Sequence, residues 1–204
     1  GMHPMYVNVL REEHLALLDA EIQRARPVAV GEIGLDRFQS RIDRSGVHAE
    51  DLARQEFFFI EQLKLAARHE LPVLLHIRRA NDQILKQLRR IKVPGGIAHA
   101  FNGSLQQARE YLKLGFKLGF GGAMTYSRAT SLRRLATELP LEAIVLETDG
   151  PDIPPEWISR QRNEPAELPR IAQVLAELRG IGAEEVALRT PANARQVLKL
   201  TASA

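Results

Sequence analysis

The chain has 204 residues, 45% hydrophobic and 26% charged, with a net charge of +3 and no cysteine. This length and balance suit one globular domain with a sizeable core. The missing cysteines exclude disulfides, thiolate metal ligands and cysteine nucleophiles and fit a reducing, cytoplasmic setting, while no apolar run approaches a membrane span and no secretory signal is visible.

In chain order, Glu12 to Arg24 reads as a helix carrying Leu15, Leu17, Leu18 and Ile22. A β-like run, VAVGEIGLD (Val28 to Asp36), precedes a polar loop, Arg37 to Gly46. Ala49 to Glu70 places Phe57, Ile60, Leu63 and Ala67 at helical spacing, with Glu50 and Arg54 as an i,i+4 pair. The second run is PVLLHIRR (Pro72 to Arg79), followed by a helix over Asn81 to Ile91. The third is GIAHAFNGS (Gly96 to Ser104), followed by a helix from Ser104, a good N-cap, to Leu114 just before Gly115. FKLGFGG (Phe116 to Gly122) leads to a helix over Ser131 to Leu139, and AIVLETDGPD (Ala143 to Asp152) leads into a proline-rich loop, Gly150 to Glu164. Helices over Pro165 to Leu178 and Ala183 to Leu200 close the chain, the latter expected to split at Pro191. Apolar strands alternating with helices predict a parallel α/β sheet covered on both faces. The basic residues are scattered, densest at Arg89 to Lys92 and Leu132 to Arg134, and permit an anionic substrate without requiring one.

Four polar residues stand toward the downstream ends of these runs: Glu32, His76, His99 and Asp149. In parallel α/β folds those ends share one face, where active sites form. Each has an ordinary alternative. Glu32 could pair with an arginine, either histidine could be a satisfied core group, and Asp149 could cap the turn begun by Gly150 and Pro151. Together they form a set of O and N donors suited to Zn²⁺, Mn²⁺ or Mg²⁺.

GEIGLD, LPVLLHIRRA, HAFNGS and LETDGPD, in this order and spacing, resemble the motifs of the TatD-like metal-dependent deoxyribonucleases, amidohydrolase-like TIM-barrel hydrolases. QEFFFIEQLKLA, RNEP, Asn193 and the opening GMHP fit the same pattern. The resemblance implies (β/α) repeats corresponding to strands 4–8 of a (β/α)₈ barrel, a truncated form in one domain, and metal-assisted hydrolysis of DNA phosphodiesters. It implies that Glu32 bridges two divalent ions, that His76 and His99 complete one shell, and that Asp149 binds the other ion or the attacking water. Arg78 would face the phosphate, Arg162 and Asn163 would shape the substrate mouth, and His3 would line it. The Asn102-Gly103-Ser104 turn is either an anion cradle or an ordinary capped helix start.

The family's His-x-His is missing: the histidines are His3, His14, His48, His69, His76 and His99. Two alternatives therefore accompany the nuclease reading: an inactive remnant or binding module, and hydrolysis of a small amide or ester. Strands at Val28 to Gly34 and Ile144 to Asp149 with no further neighbour would favour a homodimer through the open edges, unless Gly1 to Arg26 folds back across the gap.

Overall fold

The computed structural model describes residues 1–38 and 49–200. Most of the expected Arg37 to Gly46 loop, and the Glu50 side chain of the expected pair with Arg54, lie outside them. A 3-10 turn, Pro4–Val9, precedes α1 (Glu13–Ala25), β1 (Val30–Asp36), α2 (Ala49–Arg68), β2 (Val73–Arg78), α3 (Asn81–Arg90) and β3 (Gly96–Ala98). Then come α4 (Leu105–Lys113), β4 (Phe116–Phe120), α5 (Thr130–Glu138), β5 (Ile144–Leu146), α6 (Leu168–Arg179) and α7 (Ala183–Val197). All five expected strands form, each within its apolar run.

The five strands make one parallel sheet in the order β1-β2-β3-β4-β5. Spatial order equal to chain order is the progression of a (β/α) barrel wall, whereas a doubly wound sheet reverses direction at its middle. Among the described residues β1 pairs only with β2, and β5 only with β4. Val73, Leu75, Leu118 and Ile144 are fully buried in the strands, as a sheet covered on both faces requires. Burial of each such side chain contributes about 1.5–3 kcal/mol relative to exposure.

The helices bury the stripes that their spacing anticipates. In α3 these are Ile84, Leu85 and Leu88; in α6, Ile171, Ala172, Leu175 and Ala176. The Ser104 N-cap of α4 forms a full capping box with Gln107, and Gly115 turns the chain away with φ +83°. In α1, Ile22 is buried and Leu15 and Leu18 pack on the core, but Leu17 is 66% exposed. The opening 3-10 turn packs against β1 and α2, with Val7 buried, but among the described residues it adds no strand to the open edge of β1.

Pro191 does not divide α7, contrary to the sequence expectation; the helix is continuous through it. Its buried residues, Val186, Thr190, Asn193 and Val197, form one stripe across the proline. The Thr190 hydroxyl donates to the Val186 carbonyl (3.0 Å), and Asn193 Nδ2 donates to the carbonyls of Leu141 and Ile144 (2.8 Å each). Packing and these bonds hold the helix on both sides of a residue that, on local preference alone, would end it.

Candidate active site

The downstream ends of the strands open into a cleft of about 960 Å³, lined by Glu32, His76, Arg78, His99, Asp149 and His3 among others. Six of the eight residues singled out from sequence thus meet in one place.

Register explains the first half of the site. Gly34 on β1 lies opposite His76 on β2. Glu32 and Asp36, two residues to either side of Gly34, share its face and bracket the imidazole. Gly34 has φ +151°, and a Cβ there would collide with the His76 backbone, so only glycine lets the strands meet in this way. Glu32 Oε1 lies 2.8 Å from His76 Nδ1, and Asp36 Oδ2 accepts from His76 Nε2 at 3.0 Å. Asp36 is 1% exposed and is fixed in turn: its other oxygen accepts from Phe38 N (2.7 Å), and its N–H donates to Gln55 Oε1 (2.9 Å). A carboxylate holding one imidazole nitrogen is the support that orients a metal-ligating histidine through the other.

His3 reaches this group from the opening turn. Gln62 of α2 holds the turn by accepting from Met2 N (2.6 Å) and donating to Met2 O (3.1 Å). His3 Nε2 lies 3.1 Å from His76 Nδ1 and 3.4 Å from Glu32 Oε1, and one ligand-type atom from each of His3, Glu32 and His76 falls within 4.8 Å of the others. The two histidines differ in kind. His3 Nδ1 accepts from Met5 N at 3.2 Å, which leaves the hydrogen of a neutral ring on Nε2, facing the site as a donor. His76 gives its Nε2 hydrogen to Asp36, and its Nδ1 shares a proton with Glu32 and becomes a ligand atom when that proton leaves. Glu32 and His76 therefore fit a divalent cation directly, and His3 fits an anion beside it.

The second half joins β3 to β5 across β4. His99, just past β3, has Nδ1 3.0 Å from Glu147 Oε2 and Nε2 3.1 Å from Asp149 Oδ1. Glu147 also accepts from Ala100 N at 2.6 Å. The Glu147 carboxylate passes over β4 at Gly119, where an added Cβ would collide with it. The strand that brings no ligand-type residue thus provides the opening. Ala100 and Asp149 both sit in the left-handed region, at φ +42° and +60°.

The charges follow from these contacts. Burial alone would raise Glu32, but hydrogen bonds from His3 and His76 and the charge of His99 hold it far below the carboxylate range. Burial would push His76 down, and Asp36 and Glu32 outweigh it to raise the imidazole above its ordinary value. The same opposition at His99 is won more strongly by Asp149 and Glu147, which lift it to about 11.

Arg78 is half-exposed, with Nη1 3.9 Å from Asp36 Oδ2. Arg162 and Asn163 are corrections to the sequence reading, since neither lines the cleft. Arg162 points outward beside Glu164 (3.6 Å). Asn163 is 2% exposed, and its Nδ2 donates to the carbonyls of Thr148, Asp152 and Ile153 (2.6, 2.7 and 3.2 Å), bracing the loop that carries Asp149. The anion cradle is also closed at its key positions: Gln107 Oε1 takes Ser104 N (2.9 Å), and Ser104 Oγ takes Gln107 N (3.1 Å). Sequence reasoning missed Asp36, Glu147, Gln55 and Gln62. The first two carried a faint signal, as acids one alternation from Gly34 and from Asp149.

Comparison with known proteins places this geometry. The family described as TatD related DNase matches residues 1–199. A relative in Escherichia coli K12, the uncharacterized metal-dependent hydrolase YjjV, is 42% identical over 190 residues, 92% of this chain and 70% of the relative. The 3'-5' ssDNA/RNA exonuclease TatD of Cronobacter sakazakii is 37% identical over 211 residues, covering 100% of this chain and 77% of its own. The crystal structure of YjjV from E. coli K12, a TatD homolog, superimposes with a TM-score of 0.89 at 38% identity, over 98% of this chain and 76% of that one.

Proposed function

The chain belongs to the TatD-related DNase family, and from that premise we propose that it is a metal-dependent phosphodiesterase acting on nucleic-acid strands. The observation that carries the reading is the pair of bracketed imidazoles facing one cleft, Glu32–His76–Asp36 and Glu147–His99–Asp149. Glu32 and His76 would hold a first divalent ion, Zn²⁺, Mn²⁺ or Mg²⁺. His99 and Asp149 would hold a second once His99 gives up its proton. Bound there, such an ion supplies Lewis acidity, making water a better nucleophile and drawing charge from phosphoryl oxygens.

The protein's own groups do the rest. Asp149, at the cleft edge, accepts the proton of the attacking water and returns it to the leaving oxygen as the P–O bond to that oxygen breaks. His3 Nε2–H and Arg78 donate to the non-bridging oxygens and orient the phosphate. Arg78 at the cleft favours this over a neutral amide or ester. In this reading the five strands stand for strands 4–8 of an eight-stranded barrel, which the sheet order and the share of YjjV that is covered support. The free edges of β1 and β5 make a homodimer part of the proposal.

The test is a chelator-stripped protein titrated with Mn²⁺ or Zn²⁺, then assayed on a single-stranded oligonucleotide beside amide and ester panels. We expect one tight and one weaker ion, and cleavage of the oligonucleotide alone. Hydrolysis of an amide or ester in preference to it, or no hydrolysis at all in the loaded protein, rejects the reading.

A further inference from the structure

The cleft floor is acidic, with Glu32, Glu147 and Asp149 within it, but one wall is not. There Phe38, two residues past β1, meets Arg78 and Arg79 at the end of β2. Consecutive residues of an extended strand point to opposite faces, so only one of two adjacent arginines should reach a given ring. Here both do, with Cζ of Arg78 4.1 Å and Cζ of Arg79 4.3 Å from the Phe38 ring centroid. The backbone brings this about. Arg79 has φ +55°, a left-handed conformation that turns its side chain back to the side of Arg78. Glycine adopts that conformation freely, whereas any residue with a Cβ is strained in it. That turn is what lets two consecutive arginines share one ring. Phe38 fixes the two guanidiniums by cation–π contact, which leaves their outward N–H edges for an anion. Among the described residues no carboxylate pairs with Arg79, and the nearest to Arg78 is Asp36 at 3.9 Å.

We propose that Phe38, Arg78 and Arg79 form a subsite for the phosphodiester backbone beside the scissile bond. Arg78 takes the phosphate nearest the floor and Arg79 its neighbour along the strand. The proposal rests on the nuclease reading above and adds what that reading does not contain: a grip on a second phosphate, by Phe38 and Arg79, which that reading does not use. The occupant is a single strand. The two arginines lie inside the cleft that also holds the acidic floor, so the backbone they grip enters it apart from any paired strand.

The experiment measures binding rather than turnover. Mn²⁺-loaded protein is titrated with a fluorescein-labelled phosphorothioate oligothymidylate, which resists cleavage, between 50 and 200 mM salt, roughly the range over which counterion release is read. Arg79→Gly removes the guanidinium and also relieves the left-handed backbone. We expect Kd to rise roughly fivefold, the slope of log K against log salt to shrink by about 0.7, and Tm to rise. Phe38→Leu should weaken binding in the same direction by releasing both arginines. Arg134→Ala, on the outer face of α5 and paired with Glu138 at 2.6 Å, is the charge-matched control and should bind as wild type does. A duplex of the same length should bind at least tenfold more weakly. Wild-type affinity and an unchanged salt slope in Arg79→Gly overturn the subsite while leaving the nuclease reading intact. Equal affinity for duplex overturns the single-strand assignment. A wild-type protein that neither binds nor cleaves the strand rejects the nuclease reading itself.

Discussion

The two halves of the cleft share a theme and differ in support. Each is an imidazole between two carboxylates. In the β1–β2 half, one carboxylate, Asp36, is buried away from the cleft and occupies Nε2, so Nδ1 is turned toward Glu32 and the open site. In the β3–β5 half both carboxylates, Glu147 and Asp149, line the cleft, and together they engage both nitrogens of His99. In both halves a carboxylate of the cleft holds a proton on the imidazole that a cation must displace, but only the first half has a buried carboxylate that keeps the ring in place when the proton leaves. The number of acids near a histidine matters less than whether one of them lies outside the cavity and fixes the ring.

The strongest way to break this comparison is to remove one histidine at a time. His76→Ala should lower the affinity for the first metal ion by at least about 100-fold, and His99→Ala by no more than a few-fold, because the second half is not needed to seat that ion. Equal losses in calorimetric titration would mean that the halves are one site. A second variant loosens one half from outside the cleft. Asn193→Ala leaves the carbonyls of Leu141 and Ile144 without their donors, which should cost about 2–4 kcal/mol. Hydrogen exchange should then show β5 losing protection ahead of β1, and uniform loss would contradict the separation.

A smaller effect is expected from Gly119→Ala, which pushes the Glu147 carboxylate off His99. We expect the second ion to bind roughly tenfold more weakly, and His99 in the metal-free protein to titrate below its value of about 11. The sign is fixed. A folded pKa raised from 6.5 to about 11 means that these ion pairs stabilise the metal-free fold fully below pH 6.5 and cease to do so as the pH climbs through about 11. NMR titration of His99 checks both points, and an unshifted His99 in the variant would show that Glu147 does not set it. The smallest effect belongs to the surface support of the first half. Asp19 on α1 meets His69 (2.5 Å) and Arg68 (2.9 Å) of α2, and chiefly the His69 bond holds its carboxyl below its ordinary 3.8. Its contribution is present above pH 3.8 and fades as the pH falls through the depressed value. Asp19→Asn should cost a few tenths of a kcal/mol at neutral pH and nothing in strong acid, read from denaturant midpoints.

Glu32, His76, His99 and Asp149 were legible because each polar residue interrupts or closes an apolar run, a position that needs a reason. Asp36 and Glu147 stand in the same runs, but their partners depend on the register of Gly34 against His76 and on the opening at Gly119, which appear only when strands are laid side by side. His3 was placed at the mouth from resemblance; that its Nε2 is a donor follows from the Met5 contact, which no spacing rule encodes. Asn163 misled because it lies near the site in sequence and space yet turns its amide into the loop. Pro191 misled because local preference was weighed without the packing that overrides it.

The position of Asn193 also bears on the order in which the protein can mature. Synthesis runs from the N-terminus, whereas a domain folds as a unit. Every residue of the Glu32–His76–Asp36 arrangement, with Gln55 and Gln62 behind it, has been made by residue 78. His99, Glu147 and Asp149 come later, and the amide that ties the start of β5 to the rest is forty-four positions beyond Asp149. A nascent chain thus holds every residue of its first half long before the helix that pins β5 exists, and because both halves share one sheet and one core they form together when that helix docks.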